Sequence, residues 1–394
     1  MAKVNNRSFS RFTAVVVGSV AFGLVALAVS VVTWVNFQKK LTVSMGERTR
    51  LQQSVASISG ELTKLKNDDQ YVKNQRLQAD IGDIETTYSS TVSVYEDLLR
   101  LKDNEKDTSK FDARFADILS LLSKRNYATA SSELTSLKSD IADEQQEIAA
   151  AFVIPQNVPT NNAPPGSGFS QQSVATDVGS FLVDIIAADL GSAHVYVDTA
   201  STGTCTDNCP VKSLGDYVAE SGAFAGVNGG YFCPADYPSC AGKVNSFDTL
   251  LINKNKAYFN SDNNKFSVVP AVIFGNGFVR FVGQSLEWGR DTSIDSMIAN
   301  QPLVVSGGNN NFGGNTDPKM TIKSTRGFVS NKGNTVFIGM IFNASVADMG
   351  HVLKTMGMEN ALNLDDGGSA ALWFGGYKVG PGRNLPNAIV FVRK

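Results

Sequence analysis

From Phe12 to Gln38 the chain carries no charged residue, and Phe12 to Val35 is almost wholly apolar. At ~1.5 Å per residue that stretch makes about 36 Å of helix, enough to cross a hydrocarbon core of about 30 Å with some tilt. A shorter apolar run closed at Ala26-Leu-Ala28 would read as a cleaved signal peptide. The apolar pattern continues through Val31, Val32, Trp34 and Val35, which favours a retained anchor. Lys3, Arg7 and Arg11 precede the segment and Lys39, Lys40, Arg48 and Arg50 follow it, so charge bias alone does not orient it.

Beyond the anchor the apolar positions change period. Leu51, Val55, Ile58, Leu62 and Leu65 alternate spacings of four and three, an a/d seam. Asp69 falls on that seam and the pattern restarts at Leu77, Ile81, Ile84 and Tyr88, which predicts a break between Asn67 and Asn74. A polar run from Lys102 to Ser109 predicts a second turn. Phe111, Phe115, Ile118 and Leu122, then Tyr127, Ala130, Leu134, Leu137 and Ile141, predict a helical hairpin turning near Arg125-Asn126. The expected role of these helices is a solvated spacer, with homo-oligomerisation through the stalk as the other use of the seam.

Pro155 to Gly168 holds four prolines and three asparagines with no charge, the composition of a semi-extended linker. After it come short β-rich runs separated by Gly, Asn and Asp turns: Ala193 to Val197, Leu250 to Ile252, Val268 to Phe274, Phe278 to Val282, Val336 to Phe342 and Ala388 to Val392. Helices are expected at Ser213 to Gly222 and at Val346 to Met356, the latter stopped by Gly357. The predicted organisation is therefore a cytoplasmic tip and transmembrane anchor over 1–38, an α-helical or coiled-coil stalk over 39–154, a linker over 155–172 and a C-terminal domain over 173–394. The fold class expected of that domain is α/β or α+β, with a large mixed sheet and flanking helices.

Composition sharpens the division. All 12 prolines lie at or after Pro155, while only Gly18, Gly23, Gly46, Gly60 and Gly82 precede it. Net charge is −2 and no basic stripe appears, so nucleic acid is not an expected partner. Cys205, Cys209, Cys233 and Cys240 cluster in the C-terminal part. Four clustered thiols suit either a tetrahedral zinc site or disulfides; the lack of a Cys-x-x-Cys knuckle and the anchor favour disulfides in an oxidising compartment, with the short loops 205–209 and 233–240 the simplest of three connectivities. That places the N-terminus in the cytoplasm and the C-terminal domain outside the cell membrane.

The stretch with most chemistry is Ala361-Leu-Asn-Leu-Asp365-Asp366-Gly-Gly-Ser369-Ala-Ala-Leu-Trp373: two carboxylates, two glycines and a hydroxyl between apolar runs. Read alone it is an active-site turn or an ordinary hairpin. Simple strand alternation sends Asp365 and Asp366 to opposite faces. Asn228-Gly-Gly-Tyr-Phe232 is a second glycine-rich turn beside an apolar run. Arg326 and Arg383, two of five arginines in the domain, sit among small residues, and a guanidinium fork suits phosphate or carboxylate. Asn309 to Asn315 reads as a mobile lid over the cleft or a disordered insertion, and His194 as structural. No set of residues has convincing metal-ligand spacing, so no cofactor is identified and dependence on a divalent ion is left open.

Asn228 to Phe232, Thr325-Arg326, the helix ending at Gly357, Asp365 to Ser369 and Arg383-x-x-Pro386-Asn387 occur in the order and context of the phosphodiester glycosidase domain. The chain from about Phe181 to Lys394 resembles that family, of the N-acetylglucosamine-1-phosphodiester alpha-N-acetylglucosaminidase type. The family pattern reads Asp-Gly-Gly-Gly-Ser, and this chain has Asp366 at the second position. The resemblance implies hydrolysis of a sugar phosphodiester at the anomeric carbon in cell-surface or exopolysaccharide glycan metabolism. It implies Asp365 as the catalytic carboxylate, Asn228 on the sugar, Arg326 and Arg383 on the phosphodiester, and Gly367, Gly368 and Ser369 as an anion nest. It points to no general acid; Glu359, Asp348 and His351 are nearby in sequence but read as helix-surface or capping residues. The second reading is a non-catalytic glycan- or wall-binding module on a membrane stalk.

Overall fold

The structure is a computed structural model, and it describes residues 8–104, 107–261 and 268–394, with side chains from residue 23 onward apart from Asp69. Met1 to Arg7, with the tip cation Lys3, lie outside the described residues, as do the side chains of the first half of the expected anchor. Two compact units divide at Ile84/Glu85.

The first unit is helical. Helix α1 runs Ser8–Lys66 and helix α2, Asp69–Lys102, begins in it. Residues Gly23–Lys66 are long and apolar enough to cross a membrane. The expected interruption falls between Lys66 and Asp69, where Asn67 N–H still reaches back to Thr63 and Lys64. Every seam residue from Leu51 to Leu65 is exposed.

The second unit opens with the end of α2, then α3 (Ser109–Ser123) and α4 (Tyr127–Ala151). The predicted hairpin turns at Arg125, whose φ of 58° reverses the chain, and Asn126 caps α4 by accepting from Thr129 N–H. Val94, Leu98 and Leu101 of α2 close a three-helix core with Phe111, Ile118, Leu134, Leu137 and Ile141. Because Leu98 and Leu101 point inward, Arg100 and Asp103 are left on the outer side of the same turn.

The strands follow as β1 (Gly168–Thr176), β2 (Gly179–Asp189), β3 (Ala193–Thr199), then α5 (Leu214–Ser221), β4 (Ala225–Asn228), β5 (Leu251–Ile252), β6 (Tyr258–Phe259), β7 (Ala271–Gly275), β8 (Phe278–Val282), β9 (Ser296–Ala299), β10 (Leu303–Ser306) and β11 (Asn309–Asn310). Next come α6 (Pro318–Thr321), β12 (Ser324–Lys332), β13 (Thr335–Ala344), α7 (Val346–Thr355), β14 (Asn360–Asp366), β15 (Leu372–Phe374), β16 (Tyr377–Val379) and β17 (Asn387–Arg393). They form a seven-stranded sheet β1-β2-β13-β12-β14-β10-β11 and two five-stranded sheets, β16-β15-β4-β17-β3 and β6-β5-β9-β7-β8. All pairings between named strands are antiparallel, which makes the domain α+β.

Alternation along β2 explains the layering. Val183, Ile185 and Ala187 face α7, packing on Val346, Met349, Val352 and Leu353. Ile186 and Ala188 face the other way, into a core shared with Val197, Val227, Phe274 and Ile389 of the two smaller sheets. Helix α7 is held by a capping box between Ser345 and Asp348 and ends at Gly357, φ 74°. The large sheet is thus buried on both faces, and the C-terminal end of its interior strand β14 delivers the acidic turn.

Candidate active site

Strand β14 is anchored by Ala361, Leu362 and Leu364, all fully buried. Its register against β12 slips near the end: Asn363 faces Phe328, whereas Asp366 faces Arg326, so three steps on β14 match two on β12. This bulge corrects the expectation from simple alternation, because it brings both Asp365 and Asp366 to one cavity. Asp366 N–H donates to Asp365 Oδ1 at 3.0 Å. Gly367 then adopts φ 56°, a left-handed conformation that starts one tight turn through Ser369.

Asn228 ends β4 and is fully buried. Its Nδ2 donates to the Asp365 carbonyl at 2.8 Å and its Oδ1 accepts from Ala371 N–H at 3.2 Å, so one carboxamide ties the two ends of the acidic turn together. It stands behind the turn and is not among the residues lining the cavity. The two glycines after it serve close packing: Gly230 N–H donates to Asn387 Oδ1 at 3.0 Å, Asp365 N–H donates to the Gly229 carbonyl at 3.0 Å, and a Cβ on Gly229 would collide with Asn387. The motif around Asn387 and the motif around Asn228 are therefore two halves of one support.

The cavity has a volume of about 360 Å³ and includes Tyr231, Tyr237, Lys319, Arg326, Asp365, Asp366, Gly367, Ser369 and Arg383 in its wall. Its two arginines differ. Arg326 is 1 % exposed; its Nε donates to Ala344 O at 3.0 Å, its Nη1 to Lys319 O at 2.8 Å, and the remaining donors go to Ile322 O and the Asp366 carboxylate. Asp366, the departure from the family pattern, is thus the counter-ion of Arg326. Arg383 donates to Asp103 at 3.2 Å and to Asp236 at 3.1 Å, with its guanidinium 5.4 Å from the centre of the Tyr237 ring. Asp103 also accepts from Gly368 N–H at 3.0 Å, and a Cβ on Gly368 would collide with both Arg383 and Asp103. The result is an anion cradle that only glycine permits, holding a carboxylate in this structure.

Burial pushes the Asp365 carboxyl up to about 7; the Asp366 charge adds to this, and hydrogen bonds from Ser369 and from Asp366 N–H oppose it. Asp366 is raised by burial too, against the pull of Arg326. Burial likewise raises Asp103, with Arg383 and Gly368 N–H pulling the other way. Tyr231 is pushed well above the ordinary phenol range by burial and by Asp366, which leaves it a hydrogen-bond donor at working pH.

The structure brings Asp365, Arg326, Arg383, Gly367 and Ser369 to one cavity and puts Gly368 N–H on its rim cradle. Asp348 is spent in the α7 cap, Glu359 accepts from Asn331 at 3.0 Å, and His351 pairs with Asp177 at 2.8 Å. Asn309 and Asn310 form an edge strand, and His194 stacks on Tyr196. Sequence reasoning missed Arg100 and Asp103, which come from a helix taken for a spacer, and Asp236 and Tyr237. The last two had a signal: they lie between Cys233 and Cys240, which are disulfide-bonded, as are Cys205 and Cys209. Both pairs follow the simplest connectivity and leave no free thiol, so zinc on the cysteines is excluded. No cluster of three or more His, Cys, Asp or Glu suited to a metal occurs among the described residues.

Residues 221–392, within the C-terminal domain, match the model of the phosphodiester glycosidase family. Among solved structures the chain is similar to the zebrafish N-acetylglucosamine-1-phosphodiester alpha-N-acetylglucosaminidase catalytic domain auto-inhibited by its pro-peptide, at 15% identity, over 61% of this chain and 87% of that one, with a TM-score of 0.46. A hypothetical protein from Synechocystis is 11% identical over 57% of this chain and 62% of that one, TM-score 0.40. A putative exported protein from Burkholderia pseudomallei K96243 is 12% identical over 54% and 74%, TM-score 0.35. No curated protein sequence matches.

Proposed function

We propose that the chain is a membrane-anchored, extracytoplasmic hydrolase that cleaves a glycosyl-1-phosphodiester at the anomeric carbon. The observation that carries this reading is the juxtaposition, in one cavity of a phosphodiester glycosidase domain, of the buried Asp365 carboxylate with the Arg383–Gly368 anion cradle. Asp365 acts in its ionised form on the anomeric carbon, as nucleophile or as stabiliser of the oxocarbenium-like state. The bond from the anomeric carbon to the bridging oxygen breaks, and its electron pair leaves with the phosphoryl group. Water supplies the new sugar hydroxyl. Arg383 and the Gly368 N–H take the phosphoryl oxygens where the Asp103 carboxylate sits in this structure.

The remaining site residues act at one remove. Asn228 positions the acidic turn through its two backbone bonds. Arg326 neutralises Asp366 and so limits how far Asp365 is pushed up; its direct hold on a phosphodiester, expected from the resemblance, would require it to leave Asp366. Ser369 donates to Asp365 and steadies the carboxylate. The disulfides and the apolar N-terminal helix support an oxidising, extracytoplasmic setting with the N-terminus in the cytoplasm. The exposed Leu51–Leu65 seam supports pairing with a second copy.

The test is release of free sugar from a panel of sugar-1-phosphodiesters. Asp365→Asn is expected to abolish release while retaining the wild-type unfolding transition. Undiminished turnover by a folded Asp365→Asn chain would remove Asp365 from the chemistry, and binding without turnover by the unmodified chain would favour a non-catalytic glycan-binding module.

A further inference from the structure

Helix α1 continues without interruption from the apolar segment to Lys66, and its last stretch is patterned in heptads. With Leu41 at position a, the a positions hold Leu41, Arg48, Val55 and Leu62, and the d positions hold Ser44, Leu51, Ile58 and Leu65. Leu51, Val55, Ile58, Leu62 and Leu65 are between 50 % and 67 % exposed, a stripe of large apolar side chains that nothing among the described residues covers. Gly46 and Gly60 both fall at f, farthest from the seam, where a missing side chain costs no packing. Charge follows the same frame. The e positions hold Met45, Gln52, Ser59 and Lys66, and the g positions hold Glu47, Ser54 and Glu61. In a parallel, in-register pair each g residue faces the e residue of the next heptad on the other helix. That sets Glu61 against Lys66 on both sides of the seam and opposes no like charges there. Arg48, the one charged residue within the seam, then lies beside Glu47 of the second copy.

We propose that residues 41–66 of α1 pair with the same residues of a second copy of this chain as a parallel, in-register, two-stranded coiled coil. The inference deepens the pairing put forward for the 51–65 seam and rests on that reading and on the membrane anchor. The bilayer supplies the alignment: two copies held by the same apolar segment leave the membrane with one polarity and at one height, so identical residues meet at each seam position. Confinement to one plane also raises the effective concentration, which a short seam needs. Val55 at a, with Leu51 and Leu65 at d, favours two strands, Ile58 being the exception at d. Arg48 adds a polar layer that fixes register at some cost in stability.

The experiment uses the full chain in membrane vesicles. All four of its cysteines are disulfide-bonded, so an introduced cysteine is the only free thiol. On mild oxidation Leu51→Cys, Ile58→Cys and Leu65→Cys are each expected to give a species of twice the chain mass, and Gly60→Cys, at f, on the order of tenfold less. Equal cross-linking at d and f would overturn the proposal. Chains dye-labelled through Gly60→Cys are expected to bleach in two steps, and three or more steps would overturn the two-stranded state. Ile58→Asp is expected to abolish cross-linking through Leu65→Cys while the C-terminal domain keeps its unfolding transition; undiminished cross-linking would overturn pairing through this seam altogether. Lys66→Glu is expected to reduce Leu65→Cys cross-linking about fivefold, and Glu61→Lys in the same chain to restore it. Preferential linkage of Leu51→Cys to Leu65→Cys between co-expressed chains would overturn the parallel register and leave the seam pairing standing. If cross-linking follows these expectations while the same vesicles turn over no sugar phosphodiester, the coiled coil stands and the hydrolytic reading falls.

Discussion

Arg326 and Arg383 face the same cavity and were equal candidates in the sequence, yet their surroundings differ. Arg326 has three backbone carbonyls and the Asp366 carboxylate around it, from β13, β14 and the short helix α6 with its C-cap. Arg383 is held by side chains from two other parts of the fold, Asp103 just after α2 and Asp236 in the disulfide loop. Backbone carbonyls of β13 and of α6 with its C-cap cannot be exchanged for a ligand without undoing those elements. Carboxylate partners on a helix end and a loop can be replaced by another anion. A buried arginine is thus read by what holds it: backbone oxygens mark a structural cation, replaceable carboxylates mark a binding one.

The comparison breaks most visibly at Arg326. Arg326→Ala leaves Asp366 buried and unpaired and frees three carbonyls, and is expected to cost about 3–5 kcal/mol of folding stability, seen as a shift in the denaturation midpoint. If this variant unfolded like the unmodified chain and only raised KM, the two arginines would have to exchange roles. Arg383→Ala, by contrast, is expected to leave the midpoint nearly unchanged and to raise KM for a glycosyl phosphodiester on the order of tenfold to a hundredfold, since a charge-assisted bond to the phosphoryl group is lost.

Titration sharpens the same contrast. In the proposed reaction the Asp365 carboxyl, raised to about 7, acts in its ionised form, so kcat/KM is expected to rise about tenfold per pH unit below that value and to level off above it. A falling limb through the same range would instead make Asp365 a proton donor. The stability consequence has the opposite sign to the usual acidic residue: a carboxyl raised on folding favours the folded state most when protonated, so its contribution declines as pH climbs from about 4 toward 7. The smallest effect is expected from Asp366→Asn, which removes the neighbouring negative charge and leaves Arg326 nearby. The midpoint of the kcat/KM profile should move to lower pH, and an unmoved midpoint would show that burial alone sets it.

Much of this arrangement was legible in the sequence because it is local. The acidic turn between two apolar runs, the Asn126 and Gly357 helix ends and the two short disulfide loops depend on residues close together in the chain. What was not legible depends on pairing. The bulge that turns Asp365 and Asp366 into one cavity is a property of β14 against β12, and no period along one strand reveals it. Asn228 reads as a ligand-binding amide until β14 and Ala371 are brought beside it. The apolar run of β2, broken by the buried Asp184, hides its strand, since both faces are buried. Asp103 lies 265 residues before Gly368, and only the folded chain makes it a neighbour.

The position of bond cleavage is the most direct measure of the account. Hydrolysis of a sugar-1-phosphodiester in oxygen-18-enriched water, followed by mass analysis of both products, shows which atom water attacked. Attack at the anomeric carbon beside Asp365 predicts the heavy oxygen in the released sugar and none in the phosphorylated product. Label in the phosphate would mean cleavage at phosphorus, and would contradict the role given to Asp365.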